Sequence, residues 1–163
     1  SGSLGRPIIM STGMSTIKEI QLALKTLSES GVNKRDITIL HCNTEYPTPM
    51  VDVNLKAMLT IQDELDLKVG YSDHTLGIEV PVAAVALGAT VIEKHFTLDK
   101  SMEGNDHKVS LLPDEFKMMA NCIRDVEQSL GVASCRTITQ GELMNRESLA
   151  KSLLINRDLE IGE

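Results

Sequence analysis

Two stretches decide the fold of this chain: residues 69–75, VGYSDHT, and residues 90–96, TVIEKHF. Each is a short run rich in strand-favouring residues that leads into polar side chains and a histidine, which is typical of a buried strand entering a loop. Residues 77–88 between them are mostly apolar and end in glycine, which predicts a helix. A strand, a helix and a strand in this order predict a right-handed parallel unit with both histidines at one rim of the sheet.

The same plan repeats along the chain. Strands are predicted at residues 7–10, 36–42, 69–75 and 90–96, and helices at 17–30, 52–65, 77–88 and 112–130. A (β/α)₈ barrel needs about 250 residues, so four units make half of one. An open four-stranded sheet with helices on both faces is the alternative, without a dinucleotide fingerprint or a P-loop to support it. Residues 132–163 break the pattern, and their apolar end predicts a strand and a turn.

Length, composition and charge exclude several classes of function. The chain has 163 residues, 42% of them hydrophobic and 24% charged, which predicts one soluble globular core. A net charge of −7 argues against nucleic acid as a partner, since a basic stripe is missing. No apolar run approaches the ~20 residues of a membrane span. Three cysteines without metal-site spacing predict a reducing, cytoplasmic location.

All four histidines and both tyrosines fall at a predicted strand end or in the loop that follows one. A single histidine beside an apolar run is more often a satisfied structural residue than a ligand. Their concentration at one rim instead favours a site, because the carboxyl ends of parallel strands are where α/β proteins build sites. The loop predicted after His95, residues 97–110, is long enough to be functional.

Four motifs occur in order: PIIMSTGMS at residues 7–15, HCNTEYPTP at 41–49, GYSDHT at 70–75 and IEKHFT at 92–97. Together they closely resemble the sialic acid synthase family, which includes N-acetylneuraminate synthase and its legionaminic and pseudaminic acid relatives. The resemblance covers about residues 6–130. It implies a (β/α)₈ TIM barrel of which this chain carries strands five to eight. Residues 1–131 would then be the C-terminal half of the catalytic domain, and 132–163 a linker and the start of an antifreeze-like (SAF) domain.

The resemblance implies condensation of phosphoenolpyruvate with an N-acetylated amino sugar, such as N-acetylmannosamine or a related 6-deoxy sugar, with release of phosphate. It also implies a divalent metal. Two imidazoles with oxygen ligands suit Mn²⁺, with Mg²⁺ and Co²⁺ as alternatives. Matching positions give metal ligands at His74 and His95, phosphoenolpyruvate contacts at Ser11 and Ser72, residues near the sugar at Tyr46 and Asp106, and an acidic residue near the metal at Glu93. A further substrate contact falls at Asn43 or Thr44. The carboxylates of Glu93 and Asp106 are the catalytic candidates, for proton transfer or for orienting metal-bound water.

Other readings stay open. The lysines that would hold phosphoenolpyruvate belong to the other barrel half, and the arginine expected of the C-terminal domain is not found here. The chain could therefore be an inactive half-barrel that folds by association and binds at most a metal. A different metal-dependent barrel aldolase is a third reading. Two unpaired sheet edges and an apolar inner face predict that the chain forms a homodimer.

Overall fold

The computed structural model describes residues 5–132 and 136–162. Four parallel strands lie in the order β1-β2-β3-β4 and curl into half of a barrel. The strands are β1 Ile8–Ser11, β2 Ile37–Cys42, β3 Lys68–Asp73 and β4 Ile92–Lys94. The helices are α1 Ile17–Glu29, α2 Lys56–Leu65, α3 Glu79–Ala86, α4 Asp106–Val109, α5 Pro113–Leu130 and α6 Gln140–Leu149. The chain divides into two compact units, Ser1–Gly131 and Val132–Glu163.

The main core lies between the sheet and the helices. Alternate residues of β2 and β3 point to the helices and are almost fully buried: Ile37, Ile39, Val69 and Tyr71. They pack in one cluster with apolar residues from α1, α2 and α3, among them Ile20, Met58, Ile61, Val80 and Ala84. The amphipathic helices therefore cover the outer face of the curled sheet, and the other face of each strand is left for the barrel interior.

The inner face is less apolar than the sequence suggested. Its β2 and β3 rows carry Leu40, Cys42, Gly70 and Ser72, since the branched residues of these strands mostly face the helices. A Cβ atom at Gly70 would lie 2.5 Å from the Val91 carbonyl oxygen and 2.6 Å from Leu40 Cδ2, so only glycine fits there. Leu40 covers this gap and is 1% exposed.

Helix ends follow local chemistry. Thr16 and Glu19 form a capping box at the start of α1, with the Thr16 N–H donating to the Glu19 carboxylate at 2.7 Å. Helix α2 begins at Lys56, four residues later than predicted. The preceding carbonyl groups of Asp52 and Val53 instead accept hydrogen bonds from the side chains of Asn43 and His41. Those side chains fix the turn before the helix.

Three other sequence expectations differ from the structure. Strand β4 has three residues, because the chain beyond it pairs through Phe96 with Leu111 instead of with β3. His107 lies in the short helix α4, although residues 97–110 were expected to form a loop. The strand expected near the end of the chain is wrong for the described residues, where 136–162 contain helix α6 and no strand. A lone strand lacks the partners that stabilise it.

Tyr71 offers a stability test of this core. Its side chain is 0% exposed, and its hydroxyl has no hydrogen-bond partner among the described residues. Burial raises the pKa of Tyr71 well above its usual range, so the hydroxyl stays neutral. An unsatisfied buried hydroxyl costs about 1–3 kcal/mol. We expect Tyr71→Phe to raise the free energy of unfolding by about 1 kcal/mol in urea titrations. A loss of stability would mean that the hydroxyl has a partner, such as a buried water.

Candidate active site

The predicted site residues gather at the carboxyl-end rim of the sheet, on its inner face. Strand register places Ser72 beside Cys42 on one side and beside Glu93 on the other. His74 and His95 come two residues after Ser72 and Glu93, so the alternation of side chains keeps all four on the same face. Ser11 ends β1 and its hydroxyl lies 3.0 Å from the Cys42 sulfur. The parallel order of the strands therefore brings these residues to one rim.

The two imidazoles lie next to each other. The ring centroids of His74 and His95 are 5.3 Å apart, with their planes inclined at 57°. His74 Nδ1 is 2.5 Å from the Asn43 carbonyl oxygen. A carbonyl can only accept, so Nδ1 carries the proton and the Nε2 lone pair of His74 is free. A ring nitrogen that donates to a backbone carbonyl is the usual support of a metal-binding histidine.

Tyr46 packs over this pair. Its ring centroid is 4.3 Å from that of His74 and 5.6 Å from that of His95, where the two rings meet edge to face. The loop that carries Tyr46 is tied to β3 because the Thr48 N–H donates to the His74 carbonyl at 3.0 Å. The Tyr46 ring is 44% exposed, so one side of it is open to a ligand.

Asn43 stands at the base of the same loop. Its side-chain Nδ2 donates to the Asp52 carbonyl at 2.7 Å, which orients the amide. The Oδ1 atom is buried and has no hydrogen-bond partner among the described residues. A buried acceptor without a donor is unfavourable, so a hydroxyl or amide group that reached this oxygen after a shift of the loop would satisfy it.

A polar pair, Ser72 and Glu93, lies next to the histidines on the same face. The Ser72 hydroxyl donates to Glu93 Oε1 at 2.7 Å, and Ser72 is 2% exposed. Ser11, by contrast, is exposed at the end of the edge strand. The serine hydroxyls and the carboxylate form a polar patch at the carboxyl-end rim, next to Leu40, Cys42 and Gly70 of the same face. Such a patch can receive a polar substrate.

Asp106 is not brought into contact with this group. It is the exposed first residue of α4, and its carboxylate makes no hydrogen bond or ion pair within residues 5–132 and 136–162. The neighbouring His107 is fixed instead, with Nδ1 2.7 Å from the hydroxyl of Thr97. That hydroxyl donates to the Asp99 carbonyl, so it accepts a hydrogen bond from the Nδ1–H of His107. The catalytic role of Asp106 stays a prediction.

Sequence reasoning missed a buried ion pair directly behind the histidines. Lys94 Nζ lies 2.6 Å from Asp73 Oδ2, and both side chains are 0% exposed. Each residue immediately precedes one of the two histidines. The signal was present in the sequence, because a lysine inside an apolar strand must find a partner on the same face.

A half-barrel of parallel strands with its polar groups at the carboxyl ends belongs to the class of (β/α)₈ barrel enzymes. The NeuB family profile matches residues 1–134, and the chain belongs to the NeuB family. The resemblance drawn from the four motifs is confirmed, as is the α/β TIM-barrel fold.

The relatives extend the match. The chain is 49% identical to N,N'-diacetyllegionaminic acid synthase of Campylobacter jejuni over 98% of this chain and 48% of that protein. It is 41% identical to pseudaminic acid synthase of the same species over 97% of this chain and 45% of the relative. The crystal structure of N-acetylneuraminic acid synthetase from Leptospira borgpetersenii matches with a TM-score of 0.78 at 32% identity, covering 93% of this chain and 53% of that one. The chain thus spans about half the length of the curated relatives that it matches.

Proposed function

We propose that this chain carries the metal-binding and sugar-binding half of a synthase that condenses phosphoenolpyruvate with an N-acetylated amino sugar. The product would be a nonulosonic acid of the sialic acid type, and phosphate would be released. The observation that carries the proposal is the cluster of His74, His95 and Tyr46 at the rim of the half-barrel. Membership of the NeuB family, whose named relatives are nonulosonic acid synthases, supports it.

His74 and His95 fit a divalent metal, for which Mn²⁺ is favoured over Mg²⁺ and Co²⁺. Nε2 of His74 and the adjacent His95 ring supply two imidazole nitrogens to a metal. In the described part of the chain, no group of three or more histidine, cysteine or carboxylate side chains is placed to hold a metal. Two imidazoles alone leave room for oxygen donors from substrate or water, which suits a hard cation. A bound metal would supply Lewis-acid polarisation of the sugar carbonyl.

The remaining residues have roles that follow from their contacts. In the proposed reaction the enol carbon of phosphoenolpyruvate bonds to the aldehyde carbon of the sugar, and the aldehyde oxygen takes up a proton to become a hydroxyl group. Water adds to the carbon that carries the phosphate and loses the balancing proton, and the bond from that carbon to the phosphate oxygen breaks as phosphate leaves. Ser11 would donate a hydrogen bond to phosphoenolpyruvate. The Ser72 hydroxyl donates to Glu93 in this structure, so its predicted contact with phosphoenolpyruvate would require that proton to turn away from the carboxylate. Oε1 of Glu93 accepts a hydrogen bond from the Ser72 hydroxyl. The other carboxylate oxygen of Glu93 would then hold or accept a proton. Asn43 Oδ1, buried and unpartnered, would accept from the sugar.

A second candidate is a half-barrel that binds metal without turnover. The engagement of Lys94 favours it, because this lysine is buried with Asp73 and does not face the rim. Phosphate release from phosphoenolpyruvate and N-acetylmannosamine, measured on the purified chain with Mn²⁺ present, separates the two. Turnover supports the synthase in this chain alone. Mn²⁺ binding without turnover supports the half-barrel, with synthesis requiring the other half.

Location also remains a proposal. Within the described ranges, none of the helices is long and apolar enough to cross a membrane. The cytoplasm, predicted from the cysteine pattern, fits a reaction that draws on phosphoenolpyruvate.

Tyr46 provides a test of the sugar assignment. Its hydroxyl can hydrogen-bond a sugar while its ring packs against the sugar face. In the complete enzyme, Tyr46→Phe should raise the KM for the amino sugar about 3- to 10-fold, the effect of one neutral hydrogen bond. The KM for phosphoenolpyruvate should not change. Tyr71→Phe, which removes the other tyrosine hydroxyl of the chain from a buried position behind the sheet, is the matched control. An effect on phosphoenolpyruvate alone would make the sugar role wrong.

A further inference from the structure

A closed set of buried hydrogen bonds lies behind the histidine pair. Lys94 Nζ donates to Asp73 Oδ2 at 2.6 Å and also to the Thr75 carbonyl. Asp73 accepts in return from Thr75, with its Oδ1 3.1 Å from the backbone nitrogen and its Oδ2 3.0 Å from the hydroxyl. Thr75 is 0% exposed, and so are the side chains of Asp73 and Lys94. Each of the three residues therefore contacts the other two without water between them.

The residues of this hydrogen-bonded set are direct sequence neighbours of the two histidines. Asp73 and Thr75 flank His74, and Lys94 directly precedes His95. Fixing residues 73 and 75 fixes the backbone on both sides of His74. Fixing Lys94 against Asp73 sets the point from which His95 leaves β4. Both imidazoles therefore depend on one set of contacts on the opposite face of the strands.

Strand β4 needs such a constraint because it is short. It pairs with β3 through three residue pairs: Tyr71 with Ile92, Ser72 with Glu93 and Asp73 with Lys94. A slip of one residue in a strand turns every side chain to the other face of the sheet. Such a slip would bring Lys94 to the inner face and turn His95 toward the helices. A lysine that can be satisfied only beside Asp73 makes that register unfavourable.

Stability alone does not account for the pair. Burying two charges carries a desolvation penalty that their attraction barely offsets, and well-packed apolar residues often replace such pairs without loss. Specification of one arrangement is the better attested use of a buried polar group. Here the arrangement specified is the register at the active-site rim.

We propose that Lys94 and Asp73 are positioning residues that lock β4 in register with β3, so that His74 and His95 present their imidazoles together on the inner face. This inference rests on the metal-binding role proposed for the two histidines, but it makes a separate claim about the geometry of the metal-free chain.

The test compares three variants of the full chain. Lys94→Met leaves Asp73 buried without its partner. The double variant Asp73→Asn with Lys94→Met removes both charges and restores neutrality. Lys100→Met is the matched control. It also breaks a lysine–carboxylate ion pair, but that pair is half-exposed and joins Lys100 to Glu115 in the first turn of α5. Urea titrations report which variants still unfold cooperatively.

The direct readout is the nuclear Overhauser effect between ring protons of His74 and His95 in histidine-labelled protein, where only four histidines contribute. We expect this effect in the wild type and in Lys100→Met. We expect it to be lost in the double variant even though that variant unfolds cooperatively, and Mn²⁺ affinity should fall about 10- to 100-fold, as when a supporting contact of a metal ligand is removed. If Lys94→Met fails to fold, the double variant decides.

The two claims fail separately. An Overhauser effect that persists in a folded double variant overturns the positioning inference, whatever happens to Mn²⁺ affinity. Recovery of Mn²⁺ affinity together with the urea midpoint in the double variant also overturns it, since the pair would then be merely structural. A wild type that binds no Mn²⁺, with the effect lost in the double variant, supports the positioning role and makes the metal assignment wrong.

Discussion

Replacing either His74 or His95 by alanine is expected to weaken Mn²⁺ binding by at least ~100-fold, more than removal of a supporting contact does. Nδ1 of His74 is committed to the Asn43 carbonyl, so Nε2 is the one nitrogen that this ring can offer. Within the described chain the two rings are the adjacent pair of nitrogen donors at the rim. One imidazole alone competes poorly with water for a hard cation. Turnover of the complete enzyme should be lost with the metal.

Electron paramagnetic resonance of free Mn²⁺ measures this affinity without requiring activity. His107→Ala is the matched control, because that ring lies in α4, where its Nδ1 is bound to Thr97. The control should bind Mn²⁺ like the wild type. Unchanged affinity in both rim variants would remove the metal assignment, and an equal loss in His107→Ala would point to a general effect on folding.

The second large effect concerns association. Strands β1 and β4 each pair with one neighbour among the described residues, so each leaves a row of backbone groups unpaired. Ile9 on the inner side of β1 is 56% exposed. Covering a few hundred Å² of such surface at about 25 cal/mol per Å² contributes several kcal/mol, comparable to the stability of a whole domain. Two copies joined at their edges would supply eight strands. We therefore expect this chain to be a dimer, or to aggregate, at micromolar concentration.

Static light scattering tests this expectation. A lysine on an edge strand opposes pairing, so Ile9→Lys should shift the chain toward the monomer. Leu22→Lys changes a residue that is 65% exposed on helix α1 rather than on an edge strand, and should leave the dimer intact. A compact, cooperatively folded monomer of the wild-type chain would contradict the prediction.

Much of the fold could be predicted from local pattern. The α1 capping box, the apolar stripes of the helices and the short β-branched strands each carry their signal within a few residues. The start of α2 could not be predicted. It depends on hydrogen bonds from the side chains of Asn43 and His41 to carbonyl groups that a longer helix would use. The length of β4 depends on the pairing of Phe96 with Leu111, which is fixed by tertiary contact rather than by sequence pattern.

Part of the candidate site could also be predicted from local sequence pattern. The sequence predicts both histidines at one rim of the sheet, and their ring centroids lie 5.3 Å apart there. The strand register adds that Ser72 and Glu93 lie side by side on adjacent strands. The packing of Tyr46 against both imidazoles could not be predicted, because the loop from β2 has to cross to the end of β3 to produce it. The buried oxygen of Asn43 is visible only once the surrounding loop is in place.

The attachment of the Tyr46 loop to the end of β3 limits which segment of the chain can be transferred between barrels with the site intact. Asn43 and Thr48 belong to the second strand–helix unit, yet they hold the ring and the carbonyl of His74 in the third unit. A single strand–helix unit exchanged between barrels would carry a histidine without its support. The smallest segment that recombination could move as a working histidine pair extends from residue 41 to residue 95.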